Sequence, residues 1–347
     1  MLLKIKDYKE LELLYGGMYG PCYKIQRLKD GKYFTWKVIA FDANDEEQLK
    51  RIESEIDIVE HLDHENIVKY YGHAIAFAEG GRGSHNVYII MEYCEGGSLL
   101  NLTRKVEEHV CTYSEGYIWM VLYQLILALG ECHKKKNDGN IILLRNLKPS
   151  KVFLTRDMKV KLGDFSCSRI LDAKTRAATV TGTPLYMAPE LYRHEMYNEK
   201  CDIWSLGCLI YEMCALKPPF VGNDQSELAQ NIMGRKAADI PSKYSSDLRR
   251  IIKTMLEKEP LTRPSAKMLA CEIIRLVHSE ASFCDDKGRI KVDSIVETKG
   301  PLDEMDDYRE SDASRAFHFA EELRKKFEKT FVEVGNTTDQ WQKKEQA

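Results

Sequence analysis

Apolar and polar residues alternate in three short runs near the start of the chain, YKELELL, CYKIQRL and KYFTWKVIAF. A period of two sends successive side chains to opposite faces, so these runs predict strands. Asp30-Gly31, between the second run and the third, is a hairpin signal. The period then changes. Over Asp42–Leu62, Ile52, Ile56, Val59 and Leu62 recur at spacings of three and four, which predicts a helix with one buried face. Strand patterns return in IVKYYGHAIAF and NVYIIMEY, with the glycine-rich AEGGRGSH between them as a loop. From about Ser98 the pattern is mostly helical, broken by short strands near Val152–Leu154 and Lys159–Leu162. A small β-rich segment with one helix therefore precedes a larger helical one. That order predicts an α+β fold of two lobes around a cleft.

The character changes again after about His278. Residues 279–312 are acidic and poor in periodicity, which predicts a linker. Over 313–334 a stripe of Ala316, Ala320, Leu323, Phe327, Phe331 and Val334 predicts an amphipathic helix. That helix either packs on its own domain or serves self-association.

Composition narrows the function classes. The chain has 347 residues, 44% hydrophobic and 30% charged, ordinary values for a globular protein with a sizeable core. A net charge of −3 supplies no global field toward nucleic acid or an anionic membrane. The ten cysteines include no C-x-x-C pair, so finger-type zinc spacing is absent, and reduced intracellular thiols are the simplest reading. The opening MLLKIKDYKELELL has no uncharged apolar core of the kind a secretory signal needs. Tyr117–Gly130 is apolar but contains Gln124 and is short for a bilayer, so it predicts a helix buried in protein.

Three features then fall in a telling order. LYGGMYGPCYK (Leu14–Lys24) lies between two predicted strands and carries Gly17 and Gly20. Glycines there let a backbone approach phosphates closely, although a structural turn explains such a run equally well. Lys37 follows on the third strand and Glu55 on the predicted helix. A lone Lys or Glu is usually a solvated surface charge. Asp164 and Phe165 come later, in KLGDFSCSR, just after a predicted strand. With TGTPLYMAPE (Thr181–Glu190) and CDIWSLGCLIYEMCALKPPF (Cys201–Phe220) added, the chain resembles a eukaryotic protein kinase over about residues 8–278.

The resemblance implies a bilobal domain over 1–278, with an N-lobe of about 1–92 and a C-lobe of about 95–278. ATP would bind between the lobes, with Mg²⁺ at one ion or none. Lys37 would hold the α/β-phosphates, Glu55 would hold Lys37, and Asp164 would be the metal ligand. Leu14, Cys22 and Thr35 would roof the adenine pocket and Phe153 would floor it. Glu92 and Cys94 would offer backbone hydrogen bonds beside a Met91 gatekeeper. Lys148 and Thr183 match serine/threonine rather than tyrosine kinases. Glu190 and Arg263 would form a structural ion pair, and Asp202 would anchor the catalytic-loop backbone. Trp36 before Lys37, Gly163 before Asp164, and Val152–Leu154 after the loop look like the NIMA-related (NEK) kinases. By that match Thr179 is the activation-loop phosphorylation site and Arg145 its partner. A cytoplasmic, cytoskeleton-associated location follows from the family alone.

Four positions depart from the family pattern. Tyr15 stands at the first loop glycine, with Gly16 beside it as partial compensation, and Ser166 stands where Gly follows Asp-Phe. If Ser166 needs a positive φ, it costs about 1 kcal/mol. LRNLKPSK (Leu144–Lys151) puts Asn146 at the catalytic base and Lys151 at the metal-binding Asn. An amide orients a hydroxyl but is not a useful base, and losing the base costs ~10²–10⁴ in rate. A kinase working at roughly 1–100 s⁻¹ would fall to ~10⁻⁴–1 s⁻¹. An ammonium facing Mg²⁺ at ~4 Å meets about 8 kcal/mol of repulsion at an effective dielectric of 20. Three readings follow: a pseudokinase that binds ATP and regulates a protein partner, a slow kinase acting on protein Ser/Thr, or an interaction module that binds no nucleotide.

Overall fold

A computed structural model describes residues 3–16, 20–77, 85–135, 139–172, 182–279 and 296–298. The first predicted strands form β1 (Tyr8–Tyr15), β2 (Cys22–Arg27) and β3 (Tyr33–Phe41). The predicted helix is α1 (Glu46–Glu60), and β4 (Tyr70–Ala76) and β5 (His85–Glu92) complete the lobe. The five strands make one antiparallel sheet in the order β1-β2-β3-β5-β4. Alternation along β3 has a direct consequence. Phe34 and Trp36 bury against Ile25 and Ile90 on one face, which leaves Thr35 and Lys37 on the other, lining the cleft. Gly20 has φ +106°, and a Cβ there would sit 2.0 Å from the Val38 carbonyl oxygen, so only glycine lets this loop lie against β3.

Asp45 caps α1 by accepting from the Gln48 amide. Ile52, Val59 and Leu62 are buried as their spacing predicts, and Ile56 packs at the edge of the same interior. Ile58 is buried as well, because α1 is covered on more than one side.

The second lobe begins with β6 (Gly97–Ser98), α2 (Leu99–Glu108), β7 (Cys111–Tyr113) and α3 (Glu115–His133). The apolar run Tyr117–Gly130 lies inside α3 and passes through the core. Gln124 explains itself there. Its Oε1 accepts from Asn66 Nδ2 and from the Val160 amide, each at 2.8 Å, so the buried amide ties three segments together. Among the described residues no helix is long and apolar enough to cross a membrane.

Next come β8 (Asn140–Leu143), β9 (Val152–Leu154), β10 (Val160–Leu162) and β11 (Arg169–Asp172). The helices α4 (Pro189–Tyr192), α5 (Lys200–Ala215), α6 (Gln225–Gly234), α7 (Ser246–Met255) and α8 (Ala266–Ser279) follow. β8 pairs antiparallel with β11, and β9 with β10. β7, β8 and β11 arise where the sequence pattern is mostly helical; runs of three or four residues are too short for a period to register. A further strand, β12 (Val296–Thr298), lies within the expected linker and pairs antiparallel with β7. The predicted helix over 313–334 lies outside the described residues.

Candidate active site

The cleft between the sheet and the helical lobe has a volume of about 670 Å³. Leu14, Cys22 and Thr35 line one wall and Phe153 the opposite one, with Met91, Glu92 and Cys94 at the back. Gly163 makes room for Phe153, since a Cβ there would come within 3.0 Å of the ring. Burial pushes the Cys22 thiol up to about 11 and the Cys94 thiol up to about 12, so both are protonated at neutral pH. Tyr15 adds something that sequence order does not reveal. Its ring stacks on Phe153, with centroids 6.1 Å apart and planes 27° apart. The phenol therefore lies against Phe153 in the lining of the pocket that the family uses for adenine. Gly17 lies outside the described residues.

Lys37 reaches across the cleft floor. Its ammonium donates to Glu55 Oε1 at 2.6 Å and lies 3.8 Å from Asp164 Oδ1. Glu55 stands on α1 behind the lysine rather than on the cleft wall. Burial works against the charge on Lys37, but Glu55 and then Asp164 outweigh it and hold the pKa above the ordinary lysine value. Asp164 has φ +55°, a left-handed conformation, and Phe165 beside it is buried in the main core. The strain expected at Ser166 does not arise: Ser166 lacks a positive φ, and its amide approaches Asp164 Oδ1 at 3.4 Å. Asp164 takes the left-handed turn instead.

The loop after β8 is held from below by Asp202 of α5. That buried carboxylate accepts the amides of Leu144 at 3.0 Å and Arg145 at 2.8 Å, and bonds His133 Nε2 at 2.9 Å. Arg145 adopts φ +62° and donates from Nε to the Cys167 carbonyl at 2.7 Å, which joins this loop to the segment leading into β11. Thr179, its expected partner once phosphorylated, lies outside the described residues.

Asn146, Lys148 and Thr183 meet at the centre of the cleft. Lys148 Nζ donates to Thr183 Oγ1 at 2.8 Å. Thr183 in turn donates to Asn146 Oδ1 from its hydroxyl at 2.9 Å and from its amide at 3.0 Å. The one acceptor oxygen of Asn146 is thus occupied twice. Its other polar atom, Nδ2, is a donor aimed at Cys167 Sγ 3.6 Å away. Nothing on this side chain is left to accept a proton from a substrate hydroxyl.

Lys151 is buried, at 5% exposure. Its ammonium donates to the Asp164 carbonyl at 2.9 Å and lies 3.4 Å from Asp164 Oδ2. Asp164 is therefore flanked by two lysines. Burial pushes its carboxyl up, but Lys151 and then Lys37 outweigh that and hold its pKa below the usual range. A divalent cation at this place needs oxygen donors. The carboxylate here already faces ammoniums on both sides, Lys151 at 3.4 Å and Lys37 at 3.8 Å. These residues do not fit the Mg²⁺ that the family employs.

Below the cleft, Arg263 and Glu190 form a fully buried two-pronged pair at 2.7 and 2.6 Å that fixes the end of the segment carrying Thr183. A five-stranded lobe, a Lys–Glu pair bridging sheet and helix, and an Asn–Lys–Thr cluster on an Asp-anchored loop together define a protein kinase domain. The protein kinase domain family matches residues 8–273, and the chain belongs to that family. Its relatives are NEK and NimA serine/threonine kinases. It is 43% identical over 265 residues to the serine/threonine-protein kinase Nek2 of Homo sapiens, covering 76% of this chain and 58% of that protein. It is 39% identical over 263 residues to a probable serine/threonine-protein kinase nek2 of Dictyostelium discoideum, covering 76% and 61%. It is 33% identical over 305 residues to the G2-specific protein kinase nimA of Emericella nidulans, covering 81% and 43%. The chain thus spans less than two thirds of the length of these relatives.

Proposed function

We propose that this domain binds ATP in its cleft, transfers the γ-phosphate poorly or not at all, and works as a pseudokinase that regulates a protein partner. One observation carries the reading: Asn146 spends its only acceptor oxygen on Thr183. The position from which kinases orient and deprotonate a substrate hydroxyl therefore holds an amide with no free acceptor. Lys37, held by Glu55, would meet nucleotide phosphates, and Leu14, Cys22 and Phe153 would offer an apolar slot for adenine, with Thr35 making its roof more polar. Lys148 pins Thr183, so the cleft keeps its shape without the base. The γ-phosphate would sit in an ordered site where Asn146 neither orients nor activates the nucleophile.

A second reading, a slow serine/threonine kinase, draws support from the same assembly. The Lys37–Glu55 pair and the Lys148–Thr183 bond are both formed, and positioning carries much of phosphoryl transfer. Transfer of radiolabelled phosphate from ATP to a generic protein substrate separates the two readings, with Lys37→Ala as the control for contaminating kinase. Transfer that vanishes with Lys37→Ala establishes the slow kinase; transfer that persists belongs to a contaminant. Thermal unfolding with and without ATP tests nucleotide binding itself. Ligand at about 100 Kd stabilises by about 2.7 kcal/mol, and no shift leaves only an interaction module. A cytoskeletal setting and self-association through 313–334 belong to the same proposal, on family resemblance and helical pattern respectively.

A further inference from the structure

We infer that the cleft binds the phosphates of its nucleotide without a divalent cation, using the Lys151 ammonium where the family uses a metal ion. The inference rests on the ATP-binding reading above and goes beyond it. Charge carries the first part. Relative to the family pattern, Asn146 replaces a carboxylate and Lys151 replaces a neutral amide. Each change adds one positive charge to the phosphate end of the cleft. Together they supply the two units that one divalent cation would bring.

Geometry carries the second part. Lys151 Nζ and Lys37 Nζ approach the two different oxygens of Asp164, at 3.4 and 3.8 Å. Both side chains are nearly buried, at 7% and 5% exposure, so neither is a floppy surface lysine that must be ordered on binding. The carbonyl of Asp164 fixes the Lys151 ammonium at 2.9 Å, and that carbonyl belongs to the residue expected to ligate metal. Both lysines line the cleft. A nucleotide entering it meets two pre-positioned ammoniums, which it would share with the Glu55 and Asp164 carboxylates, while a cation entering with it finds Asp164 already flanked by like charges. The polyphosphate therefore gains its countercharge from the chain.

The test is binding of a fluorescent ATP analogue to the full chain in excess EDTA and in millimolar MgCl₂. Affinity in EDTA is expected to equal or exceed that in Mg²⁺, and ATP is expected to compete better than adenosine in EDTA. Lys151→Asn is expected to weaken binding in EDTA by roughly 10–100-fold, the worth of a charged hydrogen bond, and to make binding depend on Mg²⁺. Binding by the unaltered chain only when Mg²⁺ is present overturns the inference and leaves the ATP reading intact. Equal competition by ATP and adenosine in EDTA also overturns it, because the lysines then do not read phosphate. Binding in neither condition overturns the ATP reading and this inference together. The comparison on the unaltered chain decides the matter even if Lys151→Asn fails to fold.

Discussion

Restoring the base is the sharpest perturbation of the catalytic reading. Asn146→Asp exchanges one atom for another of nearly the same size. Oδ1 would still accept from the Thr183 hydroxyl and amide, now at 2.9 and 3.0 Å. The second oxygen would replace Nδ2, which aims at Cys167 Sγ 3.6 Å away, and the thiol can turn to donate in its place. Lys148, bonded to Thr183 at 2.8 Å, would sit beside the new charge and favour it. The substitution therefore adds a proton acceptor without dismantling the loop. A general base is worth ~10²–10⁴ in rate, or about 2.7–5.5 kcal/mol of barrier. Lys151 still crowds Asp164 in that variant, and groups that act as a unit do not add. The full gain is therefore expected of Asn146→Asp combined with Lys151→Asn, assayed with Mg²⁺. Radiolabelled transfer is measured for the unaltered chain, both single variants and the pair, each subtracted for its Lys37→Ala background. A double variant that still binds ATP yet transfers no faster than the unaltered chain refutes the reasoning. So does an unaltered chain that already turns over at roughly 1–100 s⁻¹.

Three other predictions test the surroundings. Tyr15→Gly removes the ring stacked on Phe153, a contact worth about 0.5–1.5 kcal/mol, so ATP affinity by calorimetry should rise about 2–10-fold; unchanged affinity means the ring does not compete with adenine. Arg263→Leu strands the Glu190 carboxylate at 0% exposure and should lower unfolding stability by about 3–5 kcal/mol in denaturant titration, whereas Glu190→Leu with Arg263→Leu should cost less than the two single losses combined. Lys258 lies over the Trp204 and Phe220 rings, and burial lowers its pKa from 10.5 to about 8. Between those values the unfolded chain holds the extra proton, so this group adds stability as pH rises from about 8 toward 10.5. The unaltered chain should therefore gain on Lys258→Met across that range, and a flat difference in unfolding free energy would contradict the shift.

Much of the site was legible because register transmits it. Alternation along β3 puts Lys37 on the cleft face once Phe34 and Trp36 are committed to the core. The helical period of α1 presents Glu55 to it, and the short β9–β10 hairpin fixes where Asn146, Lys151 and Asp164 fall relative to one another. Contacts that join residues distant in sequence were legible only where the family resemblance supplied them, as for Glu190 with Arg263 and Asp202 with the loop after β8. No period links Tyr15 to Phe153, or β8 to β11, and a four-residue strand is made by its partner more than by its own pattern. Ser166 shows the same limit in miniature. The sequence marks a missing glycine, but the backbone puts its left-handed residue at Asp164, where Lys151 reaches the carbonyl. Asn146 shows why fold and chemistry part company here. The bonds it makes to Thr183 are the ones an aspartate would make, so packing is insensitive to the exchange. What is lost is a lone pair on the atom that faces Cys167. On the proposed reading a sequence keeps the contacts that build a kinase cleft while changing what the cleft does, and that reading stands on one buried amide and one buried ammonium.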